Sequence, residues 1–189
     1  MKVSLGAEVL AMPTPVWIVG SYGEDDKPNA MTIAWGGVCC SKPPCVAVSL
    51  RKATHTYGNV MRRKAFTVSV PSEQYAKEAD YFGMASGRDV DKFQVTGLTP
   101  EPSQVVDAPY VKEFPLVLEC RLLHTLEIGL HTQFVGEIVD VKADQDVLVD
   151  GRPALDKVMP LLYGTGGKMY YKSGPFLGKG FSIGRGYMA

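Results

Sequence analysis

Apolar and polar positions along this chain fall into short runs with little helical spacing. Pro15-Val-Trp-Ile-Val19 predicts a strand, closed by the breaker-rich stretch Gly20–Pro28. Asn29–Trp35, Val46–Leu50, Ala65–Val70, Leu116–Thr125 and Thr132–Val141 predict five more, and Lys168–Tyr171 a last short one. Phe134-Val-Gly-Glu-Ile-Val-Asp-Val141 carries the alternation of a half-buried strand. Two segments read as helices. Thr54–Lys64 opens on capping threonines and closes on three cations, and Ser72–Asp80 pairs a capping serine with strong helix formers. Tyr81–Pro109, broken by Gly83, Gly87, Gly97, Pro100, Pro102 and Pro109, reads as irregular.

Strands that do not alternate with long helices argue against a doubly wound parallel sheet and for a closed antiparallel barrel with two short helices. The 189 residues suit one domain, 1–189, with no internal repeat or linker. Hydrophobic residues at 46% and charged residues at 21% exclude wholesale disorder. No apolar run approaches the ~18 residues of a membrane span, and Met1–Glu8 has no apolar signal core, so a cytoplasmic protein is expected. Twenty basic and twenty acidic residues leave no global field for nucleic acid or membrane. The signs segregate locally, with five cations and no carboxylate between Arg51 and Lys64. Cys39, Cys40, Cys45 and Cys120 lack the spacing of a metal site and read as reduced, largely buried thiols. The tail from Gly174 to Ala189 is expected to wrap over a surface or a partner.

No nucleophile elbow, phosphate-binding glycine loop, zinc-protease or dinucleotide motif is present. His55, His124 and His131 lie too far apart to suggest a metal site, and a single histidine in a strand, as at His124, reads as structural. One constellation carries more. Pro28-Asn-Ala-Met-Thr-Ile-Ala-Trp35 is followed by Ser41–Arg51 and then Thr54-His-Thr-Tyr57. A strand ending at Arg51 that turns into a helix presents unpaired N–H groups, the hydroxyls of Thr54 and Thr56, and a fixed cation, together suited to a phosphate monoester. Thr54 as a plain cap and Arg51 as a solvated charge is the competing reading of these residues alone. Upstream, Asn29 offers an amide to a heterocycle edge, Met31 and Thr32 offer strand amides, and Trp35 offers an apolar face.

The ordered set N-A-M-T-x-x-W, S-x-P-P-x-V-x-V-S-L-R and T-x-T-Y resembles the flavin reductase-like, FMN-binding split-barrel family, from about Pro13 to Tyr171. The ending Leu162–Tyr171 is most similar to its flavoredoxin-like branch. The resemblance implies a mainly β fold, a six-stranded antiparallel split barrel, a homodimer, and one FMN per subunit near the interface. It places Asn29, Ala30, Met31 and Thr32 at the isoalloxazine edge and Trp35 near the ring. Ser49, Leu50 and Arg51 would line the ribityl and phosphate region, with Thr54 and Thr56 at the phosphate. Lys92, in the run Asp91-Lys92-Phe93 after Ser86-Gly87, would bring positive charge to the phosphate or to N1 of the ring. His131 would face the ligand from a strand start, and Tyr163 is a plausible aromatic neighbour. Lys52 and Ala53 depart from the commonest family pattern. The implied function is electron transfer through bound FMN, with redox proteins as partners. The alternative is an NAD(P)H:flavin oxidoreductase, and a third reading is a barrel for another phosphorylated ligand.

Overall fold

The computed structural model describes residues 1–188. Five strands open the chain: β1 (Thr14–Pro15), β2 (Trp17–Tyr22), β3 (Pro28–Ile33), β4 (Gly36–Ser41) and β5 (Pro44–Arg51). Helix α1 (His55–Arg63) leads into β6 (Ala65–Val70), and α2 (Ala76–Met84) and α3 (Lys92–Thr96) follow. Short β7 (Pro100–Pro102) and β8 (Pro109–Val111) precede a long hairpin of β9 (Leu116–Ile128) and β10 (His131–Ala143). Then come β11 (Leu148–Val149), β12 (Arg152–Pro153), the one-turn α4 (Leu155–Val158), β13 (Leu161–Gly164) and β14 (Met169–Lys172). No helix among the described residues is long and apolar enough to cross a membrane.

Seven strands form one antiparallel sheet in the order β3-β2-β6-β9-β10-β5-β4. The fold is mainly β, as the sequence pattern predicts. The seventh strand beyond the expected six is β4, whose Gly-Gly-Val-Cys-Cys-Ser run lacks an alternating apolar signal because it is an edge with a mostly exposed outer half. Neither β3 nor β4 pairs with the other, so the ladder stays open between them. That seam positions the site described below. A second sheet, β1-β13-β14, flanks it.

Inside the curl lie Val19, Val46, Val48, Leu50, Phe66, Val68 and Phe134, all buried. A second cluster, with Ile18, Ala30, Phe82, Phe93, Phe114 and Leu161, packs the other face of β2 and β3 against α2 and α3. β2 is therefore covered on both faces, which explains its unbroken apolar run. Gly20 belongs to β2 and is not the strand stop that its type suggests. A Cβ there would collide with the Pro109 carbonyl on β8 and the Thr67 hydroxyl on β6. The stretch expected to be irregular holds α3 and the β7–β8 hairpin. Asp91 caps α3 by accepting from the Gln94 amide at 3.1 Å, and Gly97 closes it in the left-handed region.

The cysteines divide. Cys45 and Cys120 are buried as expected, but Cys39 and Cys40 are exposed, because edge strand β4 leaves one side to solvent. The tail departs from its expectation within one chain. Phe176, Leu177, Phe181 and Tyr187 are at least 85% exposed, so the tail's own barrel does not cover them.

Candidate functional site

Between β3 and β5, the strand next to edge strand β4, lies a cleft of about 410 Å³. Its β3 side and the turn after it supply Met31, Thr32, Ile33, Ala34 and Trp35, and β5 supplies Ser49, Leu50 and Arg51. Thr54, His131, Tyr163 and Tyr170 add to the walls, and α2 closes one side with Asp80, Gly83 and Met84. Eight of the twelve sequence-predicted site residues thus meet in one cavity. Trp35 and His131 are stacked, ring centroids 6.3 Å apart and planes 6° from parallel. β10 pairs with β5 so that His131 opposes Arg51, which brings the histidine to the mouth.

The tyrosine part of the wall is held from behind. Tyr170 donates to Asp80 Oδ1 at 2.9 Å, and burial, then that hydrogen bond, pushes its phenol above its usual range. Tyr163 packs on Tyr170 with centroids 5.6 Å apart. The Thr32 hydroxyl donates to the Ala79 carbonyl and ties β3 to α2.

A narrower pocket of about 180 Å³ continues from the cleft, sharing Met31, Thr54, Gly83 and Met84 with it. Asn29, His55, Thr56, Gly87 and Lys92 line it. A polar recess of about 300 Å³ with Asp25, Lys27 and Arg88 adjoins and shares Asn29, His55, Gly87 and Lys92. The three form one trough, aromatic at one end and cationic at the other.

Helix α1 starts at this trough. Thr54 is its cap: its hydroxyl accepts from the Tyr57 amide at 3.3 Å and donates to the Arg51 carbonyl at 2.9 Å. That hydroxyl is therefore engaged within its own turn, whereas the first-turn amides have no partner inside the helix. Thr56 is buried and accepts from Asn29 Nδ2 at 2.9 Å. Asn59 donates to Ser21 Oγ at 3.2 Å, and the three side chains pin α1 to β2 and β3. Asn29 Oδ1 is buried without a hydrogen-bond partner among the described residues. An orphaned acceptor of this kind costs about 1–3 kcal/mol unless something donates to it.

Lys92 is buried, and its Nζ donates to the carbonyls of Ala30 at 2.7 Å and Phe82 at 2.8 Å. Burial pushes its ammonium down to about 8. Ala30 lines none of these cavities. Its side chain is in the core, and its carbonyl holds Lys92. Arg88 Nη1 donates to the Ala53 carbonyl at 2.8 Å, strapping the loop after α2 to the loop before α1. Burial, then the Arg88 guanidinium, holds the His55 imidazole below its usual range. Lys52 points elsewhere, paired with Glu127 at 2.7 Å, and His124 is exposed on β9.

Sequence reasoning passed over His55, Asp80, Gly83, Gly87, Arg88 and Tyr170 as site residues. Gly87 left a signal, a glycine beside a serine in a breaker-rich stretch. A Cβ at Gly87 would strike Asn29 Oδ1, so only glycine leaves the trough open there.

The residues fit a planar aromatic ring joined to a hydroxylated, phosphorylated chain. The cleft has the size of small-molecule sites, the orphaned Asn29 oxygen calls for a hydroxyl donor, and the far end offers helix amides and Lys92. The family described as "Flavin reductase like domain" matches residues 9–172. The flavoredoxin of Desulfovibrio vulgaris (Miyazaki F) is 53% identical, over 97% of this chain and 100% of that one, with a TM-score of 0.94. Flavoredoxin from Methanosarcina acetivorans is 28% identical over 100% and 98%, with a TM-score of 0.90. The FMN-binding protein of Thermus thermophilus, at 24% identity over 94% and 97% and a TM-score of 0.78, shares the fold.

Proposed function

Because the chain belongs to the flavin reductase-like domain family, we propose that it binds FMN in the trough and acts as an electron-transfer flavoprotein. The observation that carries this reading is the continuity of the trough, from the Trp35–His131 stack, past the orphaned Asn29 oxygen, to the α1 amides and Lys92. FMN, when bound, supplies the reversible electron and hydride chemistry, so no protein nucleophile is needed.

The chain's own residues bind, orient and shield. Trp35 and His131 hold one part of the cleft wall, and Tyr163 and Tyr170 another. Asn29 Oδ1 accepts from a hydroxyl of the ribityl chain, with its amide already fixed by Thr56. The amides of His55 and Thr56 donate to the phosphate, and Lys92 balances its charge. Arg88 keeps the two loops around the phosphate end together.

The assembly we propose is a homodimer. The tail exposes Phe176, Leu177, Phe181 and Tyr187, and the tip of the β9–β10 hairpin exposes Leu126, Ile128 and Leu130. Clusters of exposed large apolar side chains mark interaction surfaces when they are contiguous, and a second copy would cover these. The four free thiols fit a reducing compartment, the cytoplasm.

Redox proteins are the proposed partners. Trp35, 42% exposed at the mouth, favours a second reading, since an open face admits a nicotinamide and makes the protein an NAD(P)H:flavin oxidoreductase. Anaerobic mixing of the flavin-loaded protein with NADH, NADPH and dithionite decides between them. The carrier reading expects slow bleaching by both nicotinamides and fast bleaching by dithionite. Fast bleaching by either nicotinamide, with repeated turnover of added FMN, makes it a reductase.

A further inference from the structure

The four cysteines have no part in the trough. Cys39 and Cys40 are exposed on β4, Cys45 is buried on β5, and Cys120 is buried on β9. Cys40 and Cys45 oppose each other in the β4–β5 ladder, beside an irregularity between Val38 and Cys40 in which Cys39 has no ladder partner. The Cys40 thiol donates to the Lys42 carbonyl at 3.3 Å, in the turn that joins the two strands. Opposed residues of an antiparallel pair hold their Cα atoms ~4.5–5.5 Å apart, inside the ~4.4–6.8 Å range that a disulfide spans.

Two other pairings fail on geometry, and the Cys39→Ser variant below tests the part of Cys39. Cys39 and Cys40 are chain neighbours, ~3.8 Å apart at Cα and too close. Cys45 and Cys120 sit on the two strands that flank β10, opposite Glu137 and Ile138. Two strand spacings are ~9–10 Å, beyond the ~7 Å limit. Among the described residues no three His, Cys, Asp or Glu side chains converge to hold a metal. Thiol–disulfide chemistry is what remains for this cluster.

We propose that Cys40 and Cys45 are a dithiol pair that a low-molecular-weight disulfide oxidises to a reversible bond within one chain. The exposed Cys40, as thiolate, attacks one sulfur of the small disulfide. The small S–S bond breaks, one small thiol leaves, and a mixed disulfide forms on Cys40. Cys45 then loses its proton and attacks the Cys40 sulfur, which forms the Cys40–Cys45 bond and expels the second small thiol. Two protein thiols give up two electrons, and one small disulfide becomes two thiols. Burial, then Cys40, Cys39 and Glu137 around it, hold the Cys45 thiol above its usual range, so the second step quickens as pH rises. Cys120, in the core on β9, is pushed up to about 12 by burial and stays a thiol.

The test incubates the folded protein with oxidised glutathione, then denatures and alkylates it for mass analysis. Four alkylatable thiols should fall to two, with a mass lower by two hydrogens, a linked peptide joining Cys40 to Cys45, and full recovery under dithiothreitol. Cys39→Ser should behave the same. Cys40→Ser, a surface change that far-UV circular dichroism can confirm as folded, should not form the bond. Four thiols left unchanged, a stable glutathione adduct with no second step, a bond between two chains, or bond formation in Cys40→Ser would each overturn the proposal.

Discussion

Lys92 is the residue whose charge depends most on its surroundings. Burial brings its ammonium to about 8 in the free protein, and a bound phosphate would raise that value. A ligand that raises a group's pKa binds best while the group is protonated. FMN affinity should therefore hold below pH about 8 and fall as pH climbs through that value. Fluorescence titrations of FMN on either side of it check this, and a flat profile contradicts the placement of the phosphate beside Lys92. For folding of the flavin-free protein the sign reverses. Between about 8 and the ordinary lysine value the unfolded chain binds more protons, so stability from this group rises with pH. Gly87 gives a second check at this scale. Gly87→Ala drives a methyl into Asn29 Oδ1, and FMN affinity should fall at least tenfold by equilibrium dialysis, about 1.4 kcal/mol. Unchanged affinity would place the ribityl chain elsewhere. Local sequence made Thr54, Thr56 and Arg51 legible, because a cap and a cation sit side by side in the chain. It could not separate their roles. Thr54 is occupied within its own turn, Thr56 holds Asn29, and His55 and Arg88 join the site from segments that only the fold brings together.

At the scale of elements, strand and helix signals differ in how far they reach. Ala65–Val70 matches its predicted bounds, and α1 falls within its predicted range, because each has local punctuation: Thr54 at the cap and Lys64 in the left-handed region at the end. β4 escaped notice because an edge strand need not alternate, and α3 because five residues carry too little periodicity. Gly20 and Gly136 look like breakers and are packing residues. A Cβ on Gly136 would lie 2.5 Å from the Phe66 ring and 3.0 Å from Cys120 Cβ, where β10 crosses the core. Gly136→Ala should lower stability by about 1–3 kcal/mol, as overpacking does. Urea denaturation reads this directly, and an unchanged midpoint would mean that the Phe66 ring yields freely.

For the whole molecule, the ladder stays open because β3 and β4 do not pair, and the cleft lies between β3 and β5, beside that opening. The dimer proposed above would cover the exposed aromatic tail and hairpin tip. Sedimentation at micromolar concentration should give twice the 20.5 kDa chain mass, and a monomer with flavin bound would contradict the dimer. The central claim is that this trough holds FMN, and it is tested most directly by the visible spectrum of the purified protein together with chromatography of what denaturation releases. The account predicts a yellow protein, reconstituted if necessary by added FMN, that releases FMN and no FAD at one per chain. A colourless protein that takes up no added FMN, or one that releases FAD, would contradict it.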